Sequence, residues 1–442
     1  MRYILPKVFL AAMAFILLCL PARAAGITFT EFEMPNGLKV ILHQDNSTPI
    51  VLVSVLYHVG SKNEDTSRTG FAHFFEHLLF EGSENIARGQ FDKLITNAGG
   101  DNNAYTSNDK TYYHENLPSN QLELGLYLES ERMKHAKIEQ IGVETQREVV
   151  KEEKRLRYDN QPYGMILPEI LRNAYTVHPY RWATIGSMDH LNAASLEEFM
   201  AFYNTFYVPE NACLSIAGDF QTEEAKKLVE KYFSDVPRGG RPIYRPTIVE
   251  PDKTAEVRNI VYDKVQLPAV IQAYHMPAQG TPDAYALEVL GRVLSGGESS
   301  RMYRAIVDEQ QKALQVMSFP FSMEQPGLYL VFGISNMGVS ADTLEASMNA
   351  EIDKISKDLV SENEFQKVMN QIENDEVEKI SSLASIADNL ATYKMFYGDA
   401  SLINTEIDRY RKVTREDLKM VANKYLIPSN RVVLYWLPQP QN

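Results

Sequence analysis

The sequence predicts an α+β protein built as two homologous domains, each a mixed or antiparallel sheet packed with helices. A length of 442 residues suits two domains of about 200 residues each. A shift of 219 positions lays residues 195–216 onto residues 414–435, pairing Glu197 with Glu416, Phe206 with Tyr425, Pro209 with Pro428 and Asn211 with Asn430. In both copies apolar residues at helical spacing run into a Pro-x-Asn turn and then a strand-like stretch. Residues 50–58 and 270–276 are also strand-like, and each precedes a helical segment that ends near a glycine.

From the N-terminus, Arg2 and Lys7 precede an apolar run over residues 8–20, and Ala22-Arg23-Ala24 then has the small-x-small form of a cleavage site. Residues 1–24 are read as a signal peptide, since this run falls short of the roughly 20 residues that span a bilayer. The mature chain is expected to be exported, to the periplasm of a Gram-negative bacterium, with no stable membrane span. Cleavage removes three positive charges and takes the net charge from −14 to −17, a balance that disfavours nucleic acid as a partner. Cys213 alone then remains, so no intrachain disulfide can form, and a metal site must draw on histidine and carboxylate.

Residues 25–235 form the first predicted domain. Pro35-Asn36-Gly37 between apolar segments reads as a hairpin turn, which favours mixed or antiparallel sheet over a doubly wound fold. Residues 236–255 are read as a linker, because Pro237, Gly239, Gly240, Pro242, Pro246 and Pro251 interrupt any regular element there. Residues 256–442 form the second domain, which has no histidine after Met276 and therefore no metal motif of its own.

Residues 71–80, FAHFFEHLLF, form an apolar helix interrupted by His73, Glu76 and His77. Positions i and i+4 lie one above the other on a helix, so His73 and His77 can share one ion, with Glu76 beside them. Burying three polar groups on one side of such a helix is costly unless they are satisfied together, and a metal does that. Two imidazoles one turn apart with a carboxylate in reach are the demand of the H-E-x-x-H zinc motif, met here in inverted order. Zinc then needs a third protein ligand and an open position. Glu144, Glu148, Glu152 and Glu153, on a helical stretch over residues 143–157, are all candidates by spacing.

With these residues in place, the chain resembles the pitrilysin and insulinase family of inverted zincins, in particular its short members related to the mitochondrial processing peptidase. The resemblance implies Glu153, within Gln146-Arg147-Glu148-Val149-Val150-Lys151-Glu152-Glu153, as the third ligand, with Glu152 next to it. Many relatives carry a glutamate where this chain has Gln146, which implies a retuned surround. Gly99-Gly100-Asp101-Asn102-Asn103-Ala104-Tyr105-Thr106 resembles the family's strand beside the zinc, implying that Asn103 and Ala104 bind an extended peptide. Gly296-Gly297-Glu298-Ser299-Ser300-Arg301 resembles a turn whose arginine contacts substrate, implying that role for Arg301, although Leu314 stands where relatives often have tyrosine.

The expected function is zinc-dependent peptide hydrolysis with one Zn²⁺ per chain, held by His73, His77 and Glu153, and with Glu76 as base. The resemblance also implies a homodimer, or a heterodimer with a related chain. The alternative is a partner subunit that keeps zinc without catalysing.

Overall fold

A computed structural model describes residues 26–440; the expected leader, residues 1–24, lies outside the described residues. The first half opens with β1 (Thr30–Glu33), β2 (Lys39–Gln44) and β3 (Ile50–Tyr57). Helix α1 (Phe71–Leu78) follows, then β4 (Asp101–Thr106), β5 (Thr111–Pro118), α2 (Leu122–Lys134), α3 (Gln140–Lys154), α4 (Leu196–Phe206) and β6 (Ala212–Gly218). Residues 234–256 carry no helix or strand. The second half contains β7 (Val257–Asp263), β8 (Ala269–His275), α5 (Pro282–Ser295), β9 (Ala313–Phe321), β10 (Leu328–Ser335), α6 (Leu383–Tyr397), α7 (Arg415–Tyr425) and β11 (Arg431–Pro438).

The strands form two mixed sheets, in the orders β1-β2-β6-β3-β5-β4 and β7-β11-β8-β10-β9. Apart from the extra β1, the second order repeats the first. In each sheet one pair is parallel, β2 with β6 and β7 with β11, and every other pair is antiparallel. The Pro35-Asn36-Gly37 segment joins the antiparallel pair β1 and β2, with Gly37 at a φ of 90° that favours glycine. All but the first residue of β3 is buried, which explains its continuous apolar run: both faces of its sheet are covered.

Shared physics accounts for the repeated segments. Ser195 and Thr414 each close a capping box at the N-terminus of α4 and α7, with Glu198 and Asp417 as partners. At the other end, Asn211 donates to Phe206 O at 2.8 Å and Asn430 to Tyr425 O at 2.9 Å, so each Pro-x-Asn turn satisfies a late helix carbonyl.

The halves are not insulated from each other. Ile386, Leu390 and Ala391 of α6 pack on Ile41, Leu56, Tyr112 and Cys213 of the first sheet. The connecting segment is strapped down as well: Asn63 donates to Tyr244 O at 2.9 Å, and Glu250 accepts from the backbone N–H groups of Thr176, Val177 and His178. Among the described residues no helix is long and apolar enough to cross a membrane.

Candidate metal centre

Helix α1 buries Phe71, Phe74 and Phe75 against Phe199 and Phe202 of α4, with ring centroids 4.7–6.1 Å apart. That apolar stripe fixes the rotation of the helix about its axis, leaving His73, Glu76 and His77 to face a cavity of about 790 Å³. Gly70, at a φ of 95°, makes the turn into the helix. The buried Glu64 carboxylate accepts from Gly70 N and Ala72 N, both at 2.8 Å, and from Trp182 Nε1 at 3.0 Å. Burial pushes its carboxyl up to about 8, although the Ala72 and Gly70 N–H groups and the indole pull the other way. At the far end, Arg132 Nη1 donates to Leu79 O at 2.9 Å and Tyr113 OH to Phe75 O at 3.0 Å.

Helix α3 brings Glu153 to the histidines. Its Oε2 lies 3.1 Å from His77 Nε2 and 3.4 Å from His73 Nε2, and the three candidate ligand atoms all fall within 4.8 Å of one another. The hydrogen bonds from His73 and His77 hold the Glu153 carboxyl well below the usual carboxylate range against the cost of burial. Two imidazole nitrogens converging on one carboxylate oxygen, at the wall of an open cavity, fit a zinc that keeps a position free for other ligands. Glu144, Glu148 and Glu152 instead pair with Arg147, Lys151 and Arg155 at 2.5–2.7 Å along the helix surface. Arg157 reaches the other oxygen of Glu153 at 2.8 Å.

Glu76 faces the same cavity and accepts from Thr106 Oγ1 at 2.6 Å. Thr106 ends β4, which pairs with β5 alone and so leaves one edge of the sheet open. Asn103 and Ala104 line the cavity on this strand, and Ala104 N donates to the Asn103 side chain at 2.9 Å rather than to the sheet. Gln146 donates to Glu81 Oε1 at 2.5 Å, while its own Oε1 is buried without a protein partner.

Arg301 is not brought to this cavity. It lies in the second half, where Glu364 holds it in two hydrogen bonds of 2.8 and 2.7 Å, and Leu314 on β9 is 56% exposed. Sequence reasoning missed Glu64 and Arg157, and it treated Thr106 as part of a strand rather than as the partner of Glu76. Arg157 stands at i+4 from Glu153, a spacing the sequence does offer, whereas no local spacing links Glu64 or Thr106 to the motif.

Residues 39–187 match the family described as Insulinase (Peptidase family M16), and residues 193–372 match Peptidase M16 inactive domain. The chain is 30% identical over 408 residues to the zinc protease PqqE of Helicobacter pylori, covering 92% of each. It belongs to peptidase family M16. A crystal structure of a protease from Helicobacter pylori matches with a TM-score of 0.88 at 29% identity, covering 93% of this chain and 100% of that one. The chain is also 23% identical over 405 residues to a probable mitochondrial-processing peptidase subunit beta of Arabidopsis thaliana, covering 89% of this chain and 75% of the other. In this M16 chain the first match contains His73, Glu76, His77 and Glu153. The match described as inactive contains Arg301, and among the described residues no cluster of metal-ligating side chains lies within it.

Proposed function

We propose that this chain is a zinc-dependent endopeptidase acting on peptides or unfolded segments. The observation that carries this reading is the convergence of His73, His77 and Glu153 beside Glu76, in a cavity walled by an open sheet edge. His73, His77 and Glu153 would hold one Zn²⁺ per chain. When bound, zinc supplies a Lewis acid that acidifies water and polarises a carbonyl.

The remaining work belongs to the chain. Glu76 takes the proton of the attacking water and returns it to the departing amine nitrogen, as a general base and then a general acid. The Thr106 hydroxyl, bonded to Oε2, holds that carboxylate toward the cavity. An extended peptide laid along β4 exchanges backbone hydrogen bonds with the open edge, and Asn103 and Ala104 flank it. This mode of binding admits strands and excludes compact folds.

The expected export to the periplasm and pairing with a like or related chain belong to the same reading. The engaged Arg301 and the exposed Leu314 favour a second one, in which another chain supplies substrate contacts or this chain is the non-catalytic partner.

Hydrolysis of a quenched-fluorescent peptide library by the mature chain, beside Glu76→Gln and a chelated sample, decides between them. Activity lost in both controls, with zinc retained in the variant, is the expected result. An inactive wild type carrying one zinc would overturn the single-chain peptidase in favour of the partner reading.

A further inference from the structure

We propose that Asp388, on helix α6 of the second half, is a positioning residue for the substrate strand, so that the second half completes the site from behind the sheet. This deepens the peptidase reading and rests on it.

Strand β4 is paired on one side only, and such an edge frays unless its side chains are tied down. Its two faces meet different halves of the chain. Thr106 bonds to Glu76 on the metal side. Tyr105, the preceding residue, faces the opposite way, where its hydroxyl donates to Asp388 Oδ2 at 2.7 Å. Lys110, in the turn between β4 and β5, reaches Asp388 Oδ1 at 2.6 Å and Thr392 Oγ1 at 2.7 Å. Its ammonium also sits 5.2 Å from the centre of the Tyr105 ring. A single carboxylate therefore ties down both the end of the edge strand and the turn that follows it.

Asp388 is itself held in place. Ile386, Leu390 and Ala391 anchor α6 in the apolar cluster over the first sheet, and Ala387 packs on Leu52 and Ala217. Within its own half, Asp388 accepts from Thr392, at 3.1 Å. The other two donors come from the β4–β5 hairpin. A second tether from the same half reaches this turn, where Glu324 N donates to Asp109 Oδ2 at 3.0 Å.

The consequence follows from strand geometry. A one-residue slip of β4 would turn Thr106 away from Glu76 and Tyr105 toward the metal side. By holding Tyr105 and Lys110, Asp388 fixes both the edge that receives the peptide and the hydroxyl that orients the base.

The test uses the full mature chain with Asp388→Asn, Asp388→Glu and Tyr105→Phe. Amide hydrogen exchange over residues 101–118 is measured together with steady-state peptide hydrolysis and zinc content. Faster exchange confined to the hairpin in Asp388→Asn and Tyr105→Phe is expected, with KM raised several-fold, kcat lowered alongside it, zinc unchanged and recovery in Asp388→Glu. Tyr105→Phe removes one hydroxyl and keeps the ring, so it remains informative if the Asp388 variants fold poorly. Exchange at the wild-type rate would overturn the proposal, as would faster exchange with KM unmoved. The exchange measurement does not depend on turnover, so a wild type that hydrolyses no peptide would sink the peptidase reading and leave the hairpin result to be read separately.

Discussion

At the scale of single residues, Thr106 controls where Glu76 can point, because its hydroxyl donates to the carboxylate at 2.6 Å. A hydrogen bond to a charged group contributes about 1.5 kcal/mol or more, so Thr106→Val is expected to lower kcat about tenfold. Zinc content should stay at the wild-type value, and Thr106→Ser should restore most of the rate. Equal loss in Val and Ser variants would remove the hydroxyl from the argument. Gln146 offers a second case. Its amide donates to Glu81 Oε1, whose other oxygen pairs with Arg88, so Gln146→Glu replaces the donor with a second carboxylate beside Glu81. The variant should lose about 1 kcal/mol or more in urea unfolding, whereas Gln146→Ala should lose less; equal losses in the two would count against the repulsion. At this scale His73, Glu76 and His77 were legible because one helical turn holds all three. Glu153 was not legible by spacing, since four glutamates share its helix and only the fold shows that three of them pair along its surface.

At the scale of elements, helix α1 is held at both ends by buried polar side chains, the Glu64 carboxyl accepting from N–H groups at its N-terminus and the Arg132 guanidinium donating to a carbonyl at its C-terminus. Arg132 has no exposed side-chain surface and pairs with Glu129 at 3.0 Å and Glu115 at 3.2 Å, within a cage of Phe80, Phe91 and Tyr113. Burial pushes the Glu115 carboxyl up, Glu129 beside it adds to this, and Arg132 opposes both. Arg132→Leu leaves two buried carboxylates without their cation and α1 without a cap. A loss of about 3–5 kcal/mol is expected in urea unfolding, with a lowered zinc affinity in whatever remains folded. A variant within about 1 kcal/mol of wild type would show that the cage, rather than the charge, holds the helix. The repeated helix, turn and strand were legible because both copies need the same cap and the same asparagine. The partner of α6 was not: an apolar face states that a helix is covered but does not state which sheet covers it.

At the scale of the whole molecule, the two-sheet plan was legible from length and repeat, while the lock between the halves depends on contacts remote in sequence. The loop over residues 322–327, between β9 and β10, enters the first half. Met323 joins an apolar core that residues of both halves share, Gln325 N donates to Tyr180 OH at 3.1 Å, and Tyr175 OH donates to Pro326 O at 3.0 Å. At its centre Glu324 meets His58 Nε2 at 2.8 Å and the ammonium of Lys62, which also lies 2.8 Å from Asp109. Burial works against the Glu324 carboxylate, but His58 and Lys62 prevail and hold it at about 2, below the ordinary 4.5. A depressed carboxyl gives stability that is present above the unfolded-state pKa and is lost as pH falls through the folded one, so the window lies between about pH 4.5 and pH 2. At about 1.4 kcal/mol per decade the shift corresponds to at most about 3 kcal/mol. Glu324→Gln, which cannot ionise, should lose less stability than the wild type across that window, so the two urea midpoints should converge as the solution is acidified. Parallel curves would place the acid sensitivity elsewhere. Convergence would identify the Glu324 cluster as the point where protonation loosens the second half from the half that carries the candidate metal centre.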